Sequence, residues 1–172
     1  MPMIRLINLT KVYQGLKAVD GLNLEIDKGA RFGFLGPNGA GKTTTIKMLA
    51  GVLRPTQGRV IIDGLDLDRE PEAVKGRVGF IPDRPFIYEK LTGREFLELV
   101  AGLYHLNSGS SHRLGELLGI FDLTHWQDEL IESYSHGMRQ RLIMCAALLH
   151  RPKVLVVDEP MVGLDPRGAK LV

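Results

Sequence analysis

The chain has 172 residues, 44% hydrophobic and 24% charged, a balance that fits one globular domain with a sizeable core and excludes a low-complexity polymer. Its net charge of +2 is too small to imply a nucleic-acid footprint, and the basic residues are scattered, so no nucleic-acid partner is expected. A single cysteine, Cys145, rules out an intrachain disulfide, and no run approaches the eighteen or so apolar residues of a membrane span; with no signal-peptide core at the N-terminus, a cytoplasmic location is expected.

In chain order, Ile4 to Leu16 and Leu22 to Ile26 read as strands with Asp20-Gly21 as the turn between them. Gln57 to Gly64 reads as a further strand, so a β-rich N-terminal layer is expected. Ala30 to Leu35 reads as a short β-rich run, and Thr43 to Ala50 as a helix ended by Gly51. Val78 to Ile81 and Val154 to Val157 resemble buried strands that would suit a central parallel sheet. Between them, apolar residues recur at helical spacing over Arg94 to Leu106 and Arg113 to Leu118, separated by Asn107 to Ser111. A helical insertion over residues 86–150 is therefore predicted to interrupt an α/β core.

Between the β-rich run and the first helix lies Gly36-Pro37-Asn38-Gly39-Ala40-Gly41-Lys42-Thr43-Thr44, which fits the phosphate-binding pattern G-x-x-x-x-G-K-[ST] at every fixed position. Glycines let the backbone turn sharply and close in on an anion with its N–H groups pointing inward. Lys42 would reach the β- and γ-phosphates and Thr43 would ligate Mg²⁺. The amides of Thr43 and Thr44 would sit at the partly positive end of a helix. Strand, glycine loop and helix in succession make a bound nucleoside triphosphate the firmest expectation.

The strand Val154 to Val157 ends in Asp158 and Glu159. Taken alone this is an acidic turn after a core strand; downstream of a phosphate loop, Asp158 would support Mg²⁺ and Glu159 would polarise the attacking water. Just upstream, Tyr134-Ser135-His136-Gly137-Met138-Arg139-Gln140-Arg141-Leu142 opens a long helix. Ser135 there offers a hydroxyl beside unpaired amides, either as an ordinary N-cap or as a second anion site.

This segment resembles the signature motif, usually L-S-G-G-Q, of the ATP-binding cassette (ABC) superfamily. The order of phosphate loop, helical insert, signature, acidic strand and Gly163-Leu164-Asp165-Pro166 is similar to that family's cassette over nearly the whole chain. The resemblance implies a single ATP-binding domain over residues 1–172: a P-loop NTPase core, mostly parallel sheet flanked by helices, with an antiparallel N-terminal β layer and a helical insert. It implies an ATPase using ATP and Mg²⁺, with Lys42 and Glu159 as catalytic residues. Ser135 and Gly137 would face the γ-phosphate held by a second cassette, identical or not, with Asp165 at the interface. The insert would drive an integral membrane permease, which would keep the subunit at the inner face of the membrane. Tyr13 falls where similar cassettes stack an aromatic ring on adenine, although by position alone it is equally a core or edge tyrosine.

Where cassettes usually carry a glutamine on Mg²⁺ and water, this chain has Pro82-Asp83-Arg84-Pro85, so Asp83 is a candidate metal and catalytic residue. The acidic residue and the Tyr-Ser-His-Gly-Met signature are more similar to ATPase subunits of ABC-2-type exporters than to importers. After Pro166 fewer than two helical turns remain, and no histidine follows His150, whereas family members continue into a strand bearing a switch histidine. The cassette is therefore expected to lack its C-terminal part, with a nucleotide-binding module of little or no hydrolysis as the alternative to an active enzyme.

Overall fold

Ile4 and Leu6 are buried and Arg5 is exposed, the two-residue alternation of a half-buried strand, yet the next core residue is Leu9 rather than residue 8. Asn8 is the extra residue of a bulge, at φ 47, and its insertion returns Leu9 to the core face of β1 (Ile4–Tyr13). β1 pairs antiparallel with β2 (Leu16–Ile26) and with β3 (Gln57–Ile62), and β4 (Leu65–Asp66) extends the sheet in the order β2-β1-β3-β4. The computed structural model describes residues 2–84, 86–106 and 110–158, which fall into two compact units parting between Val78 and Gly79.

The expected turn at Asp20-Gly21 is inside a strand. Gln14 and Gly15, at φ 46 and 86, form the two-residue hairpin turn, whose positive φ values match the twist of the flanking strands. Asp20-Gly21 instead forms a bulge of β2: Lys11 faces Val19 but Leu9 faces Leu22, and the Gly21 N–H donates to Thr10 Oγ1 at 2.9 Å. A side chain thus satisfies the amide that the bulge takes out of the ladder. The third strand stops at Ile62 because Asp63 and Gly64, at φ 51 and 81, turn the chain into β4.

The first helix, α1 (Lys42–Leu49), buries Thr45, Met48 and Leu49 and ends as expected at Gly51, whose φ of 71 lets Val52 and Leu53 donate to the Lys47 carbonyl. The short α2 (Pro71–Lys75) begins on a proline, whose missing N–H costs nothing in a first turn, and buries Val74.

In the second unit, α3 (Gly93–Leu103) opens with a reciprocal cap: Glu95 N–H donates to Thr92 Oγ1 and Thr92 N–H to the Glu95 carboxylate. The helix α4 (Ser110–Ile120) and α5 (His136–Leu149) complete the helical segment. Leu97, Leu117, Leu118, Leu123, Ile131, Leu142 and Cys145 are almost fully buried among these helices, at about 1.5–3 kcal/mol for each large apolar side chain. β5 (Val78–Ile81) and β6 (Val154–Val157) form a two-stranded sheet, and the Asp158 N–H donates to the Ile81 carbonyl at 2.9 Å, so their carboxyl ends lie side by side. Gly79 permits the close approach of β5 to α5: a Cβ there would stand 2.5 Å from the Ala147 carbonyl oxygen.

Candidate functional site

The glycine loop leads directly into α1 within the first unit. Gly41, at φ 81, is the residue before the helix, and a Cβ on it would meet the Ala18 carbonyl oxygen at 2.3 Å and Val19 Cγ2 at 3.1 Å, so only glycine lets the loop lie against β2. The Gly41 carbonyl accepts from both the amide and the hydroxyl of Thr45, at 2.8 and 2.9 Å, which fixes the first helical turn. The residue before the helix is a glycine and offers no side-chain cap, and no acidic residue of α1 lies in its first turn. Its partial positive charge is therefore not offset by a carboxylate of the helix itself.

Gly36, Pro37, Asn38, Gly39 and Ala40 are exposed, with Ala40 N–H turning back to the Pro37 carbonyl at 3.3 Å. The Lys42 ammonium donates to the Gly36 and Pro37 carbonyl oxygens at 2.6 and 2.7 Å, so its charge lies over the loop. Thr43 is exposed and Thr44 half-buried at the start of α1.

The strand expected over Ala30 to Leu35 is not formed among the described residues. The segment before the loop has no ladder partner among the described residues, Phe32 is half-exposed against Phe34 in an edge-to-face contact, and Leu35 is 96% exposed. Apolar, β-prone composition suits a strand, but a strand exists only where neighbouring backbones take up its N–H and C=O groups.

Tyr13 ends β1 in the same unit, half-exposed, with the Lys11 ammonium 5.2 Å from its ring centroid. Strand alternation puts residues 11 and 13 on one face, a signal present in the sequence.

The second unit holds the other described candidates. Asp158 is buried directly after β6, while Asp83 is exposed two residues beyond β5, its carboxylate 3.9 Å from Arg84 Nε. The hydrogen bond from Asp158 to Ile81 brings these two strand ends together. Ser135 is the N-cap of α5, its Oγ accepting from the Met138 N–H at 3.3 Å, and Gly137 is half-buried in the first turn.

Arg139, on the same turn of α5, donates to the carbonyls of Tyr134 and Glu132 at 3.2 and 3.0 Å and pairs with Glu89, tying the serine cap to the segment before α3. Nothing in the local sequence pattern pointed to that tie. Glu159, Gly163, Leu164, Asp165 and Pro166 lie outside the described residues. Cys145 is a buried thiol, and burial pushes its pKa up to about 12. Among the described residues no helix is long and apolar enough to cross a membrane.

The family model for ABC transporters matches residues 19–162. The chain is 45% identical to the daunorubicin resistance ATP-binding protein DrrA3 of Streptomyces coeruleorubidus, over 92% of this chain and 50% of that protein. It is 42% identical to the bacitracin transport ATP-binding protein BcrA of Bacillus licheniformis, over 98% of this chain and 54% of that one, so it spans about half the length of these curated relatives.

Among solved structures it is similar to an ATP-binding subunit of an ABC transporter, with a TM-score of 0.90 and 32% identity over 98% of this chain and 71% of that one. A dimeric ATP-binding cassette in a post-hydrolysis state, bound to ADP and Pi, aligns with a TM-score of 0.88 and 26% identity over 98% of this chain and 79% of the other. These likenesses give the fold as that of a nucleotide-binding cassette, with a mixed sheet and flanking helices.

Proposed function

This chain belongs to the ABC transporter family, and we propose that it serves as the ATP-binding and ATP-hydrolysing cassette of an exporter, one domain whose helical insert couples to a membrane permease. The observation that carries the reading is the phosphate loop: Gly41 wedged against the Ala18 carbonyl, a helix start with no acidic residue of its own, and Lys42 with its charge over the loop. The export direction is supported by the relatives, named for daunorubicin resistance and bacitracin transport. Attachment to the inner face of the membrane follows from the permease.

In this reading the amides at the start of α1 and the Lys42 ammonium hold the triphosphate, and the Tyr13 ring stacks on adenine. Thr43, Asp158 and Asp83 are hard oxygen donors of the kind Mg²⁺ takes and would be its candidate ligands; the ion when bound would neutralise phosphate charge. Glu159 orients the attacking water and accepts its proton. Ser135 and Gly137 offer the start of α5 to a nucleotide on a second cassette, a pairing supported by the dimeric cassette to which the chain is similar. Rate acceleration then comes from positioning and charge neutralisation.

Phosphate release should depend on Glu159 and ATP binding on Lys42. The measurement is ATP turnover and affinity for the chain beside Glu159→Gln and Lys42→Ala. Release unchanged in Glu159→Gln would overturn hydrolysis at this site, and ATP affinity unchanged in Lys42→Ala would overturn the binding reading itself.

A further inference from the structure

The Tyr13 ring is held by a cation with a fixed address. Lys11 and Tyr13 stand two apart on β1, on one face of the strand, and the Lys11 ammonium lies 5.2 Å from the ring centroid. That ammonium also donates to the Arg54 carbonyl at 2.8 Å. Arg54 follows the turn that ends α1, where Val52 and Leu53 both donate to the Lys47 carbonyl. Two further bonds fasten the same strand end to the same loop: Val12 N–H to Thr56 Oγ1 at 3.0 Å, and Thr56 N–H to the Thr10 carbonyl at 2.8 Å. A continuous set of contacts therefore runs from the far end of the phosphate-loop helix through Arg54 and Lys11 to the aromatic ring, all inside the first unit.

We infer that Lys11 is a positioning residue that sets base recognition, holding the Tyr13 ring in register with α1 and covering one ring face so that a purine stacks on the other. The inference rests on the reading of Tyr13 as the base-stacking ring. Two physical effects act together. A ring at a strand end beside a two-residue turn would otherwise sample several side-chain angles, and ordering it on binding costs affinity. A cation over one face also draws π-electron density toward itself, which makes the opposite face less repulsive to an electron-rich purine. Tyr13 as a residue remains 45% exposed, which leaves surface for that contact. Lys11 does not reach the phosphates in this role; its effect passes through Tyr13.

The test is a calorimetric titration of the chain with ATP and, separately, with inorganic tripolyphosphate, which carries the anion without the base. Lys11→Met keeps the apolar stem and removes the charge; it should weaken ATP about three- to fivefold and leave tripolyphosphate unchanged. Lys11→Arg restores a cation and should stay within about twofold of the parent. Tyr13→Ala should weaken ATP about tenfold, and adding Lys11→Met to it should cost nothing further.

If Tyr13→Ala weakens ATP while Lys11→Met does not, the inference about Lys11 is wrong and the stacking reading stands. If Lys11→Met weakens both ligands equally, Lys11 acts on the phosphate site or on folding and the inference is again overturned. Unchanged ATP affinity in Tyr13→Ala would remove the stacking reading and this inference with it.

Discussion

The hydroxyl of Tyr134 occupies the space that a side chain on Gly93 would need: a Cβ built on Gly93 stands 2.3 Å from Tyr134 Oη. The same hydroxyl donates to the Trp126 carbonyl at 2.6 Å, so it cannot withdraw without breaking a half-buried hydrogen bond. Gly93→Ala is expected to destabilise the second unit by about 1–3 kcal/mol, as overpacking does. Tyr134→Phe should cost about 1 kcal/mol alone and reduce the penalty of Gly93→Ala when the two are combined. Urea unfolding of the three variants measures this coupling; strictly additive losses would show that the contact is not the cause.

Gly41 and Gly39 offer a matched comparison at the phosphate loop. Both have left-handed backbone, at φ 81 and 82, but a Cβ on Gly39 meets nothing within 4 Å while one on Gly41 meets the Ala18 backbone oxygen. Alanine at Gly39 should cost the conformational strain alone, about 1–2 kcal/mol. Alanine at Gly41 should cost that plus a displacement of the loop from β2, and should lower ATP affinity far more. Equal losses of affinity in the two variants would refute the close approach as the reason for Gly41.

Burial holds the Cys145 thiol at a pKa of about 12 against an ordinary 9.0, so the fold favours the neutral form. The associated stability is fully present below the unfolded pKa near 9 and is lost as pH rises toward 12. Denaturation midpoints measured from neutral pH upward should therefore fall more steeply for the native chain than for Cys145→Ala, which removes this titration. The thiol should also resist alkylation at neutral pH until the chain unfolds. Parallel curves for the two proteins would rule out the linkage.

Arg139 joins the helix-opening serine to the segment before α3 through Glu89 and the carbonyls of Glu132 and Tyr134. Arg139→Met should destabilise the chain by about 1–3 kcal/mol and speed hydrogen exchange at the Met138 amide, which Ser135 caps. Glu89→Gln should cost less, and the pair should show a coupling of at least about 0.5 kcal/mol. Unaltered exchange at Met138 in Arg139→Met would mean that the cap does not depend on this tie.

The glycine turn at Gly39 and Gly41 and the helix beyond it were legible because their signal is local: closely spaced glycines followed by a helix-forming run that ends at Gly51. The acidic strand and the Ser135 cap were legible for the same reason. Asp20-Gly21 misled because an Asp-Gly pair is a turn signal only when its amides have no better partner, and Thr10, in the strand opposite and eleven residues before Gly21, supplies one. Ala30 to Leu35 misled because composition cannot say whether a neighbouring strand is there to pair with it. Lys11 on Arg54, Arg139 on Glu89 and Gly93 under Tyr134 join residues far apart in the chain, and no periodicity encodes them.

The adjacency of β5 and β6 also bears on the order in which the chain assembles. Residues 82–153 lie between the two strands, and closing so long a loop carries a large entropic penalty unless the intervening chain is already collapsed. Packing of α3, α4 and α5 supplies that collapse, and Ile81 at the end of β5 is buried in the same core, so the strand pair shares the stability of the helices. Hydrogen exchange at the Asp158 amide should accordingly report on the helical core, and a cavity there, such as Leu142→Ala, should loosen it from a distance. The location of the acidic strand end is thus a property of the helices that precede it, inherited through chain topology.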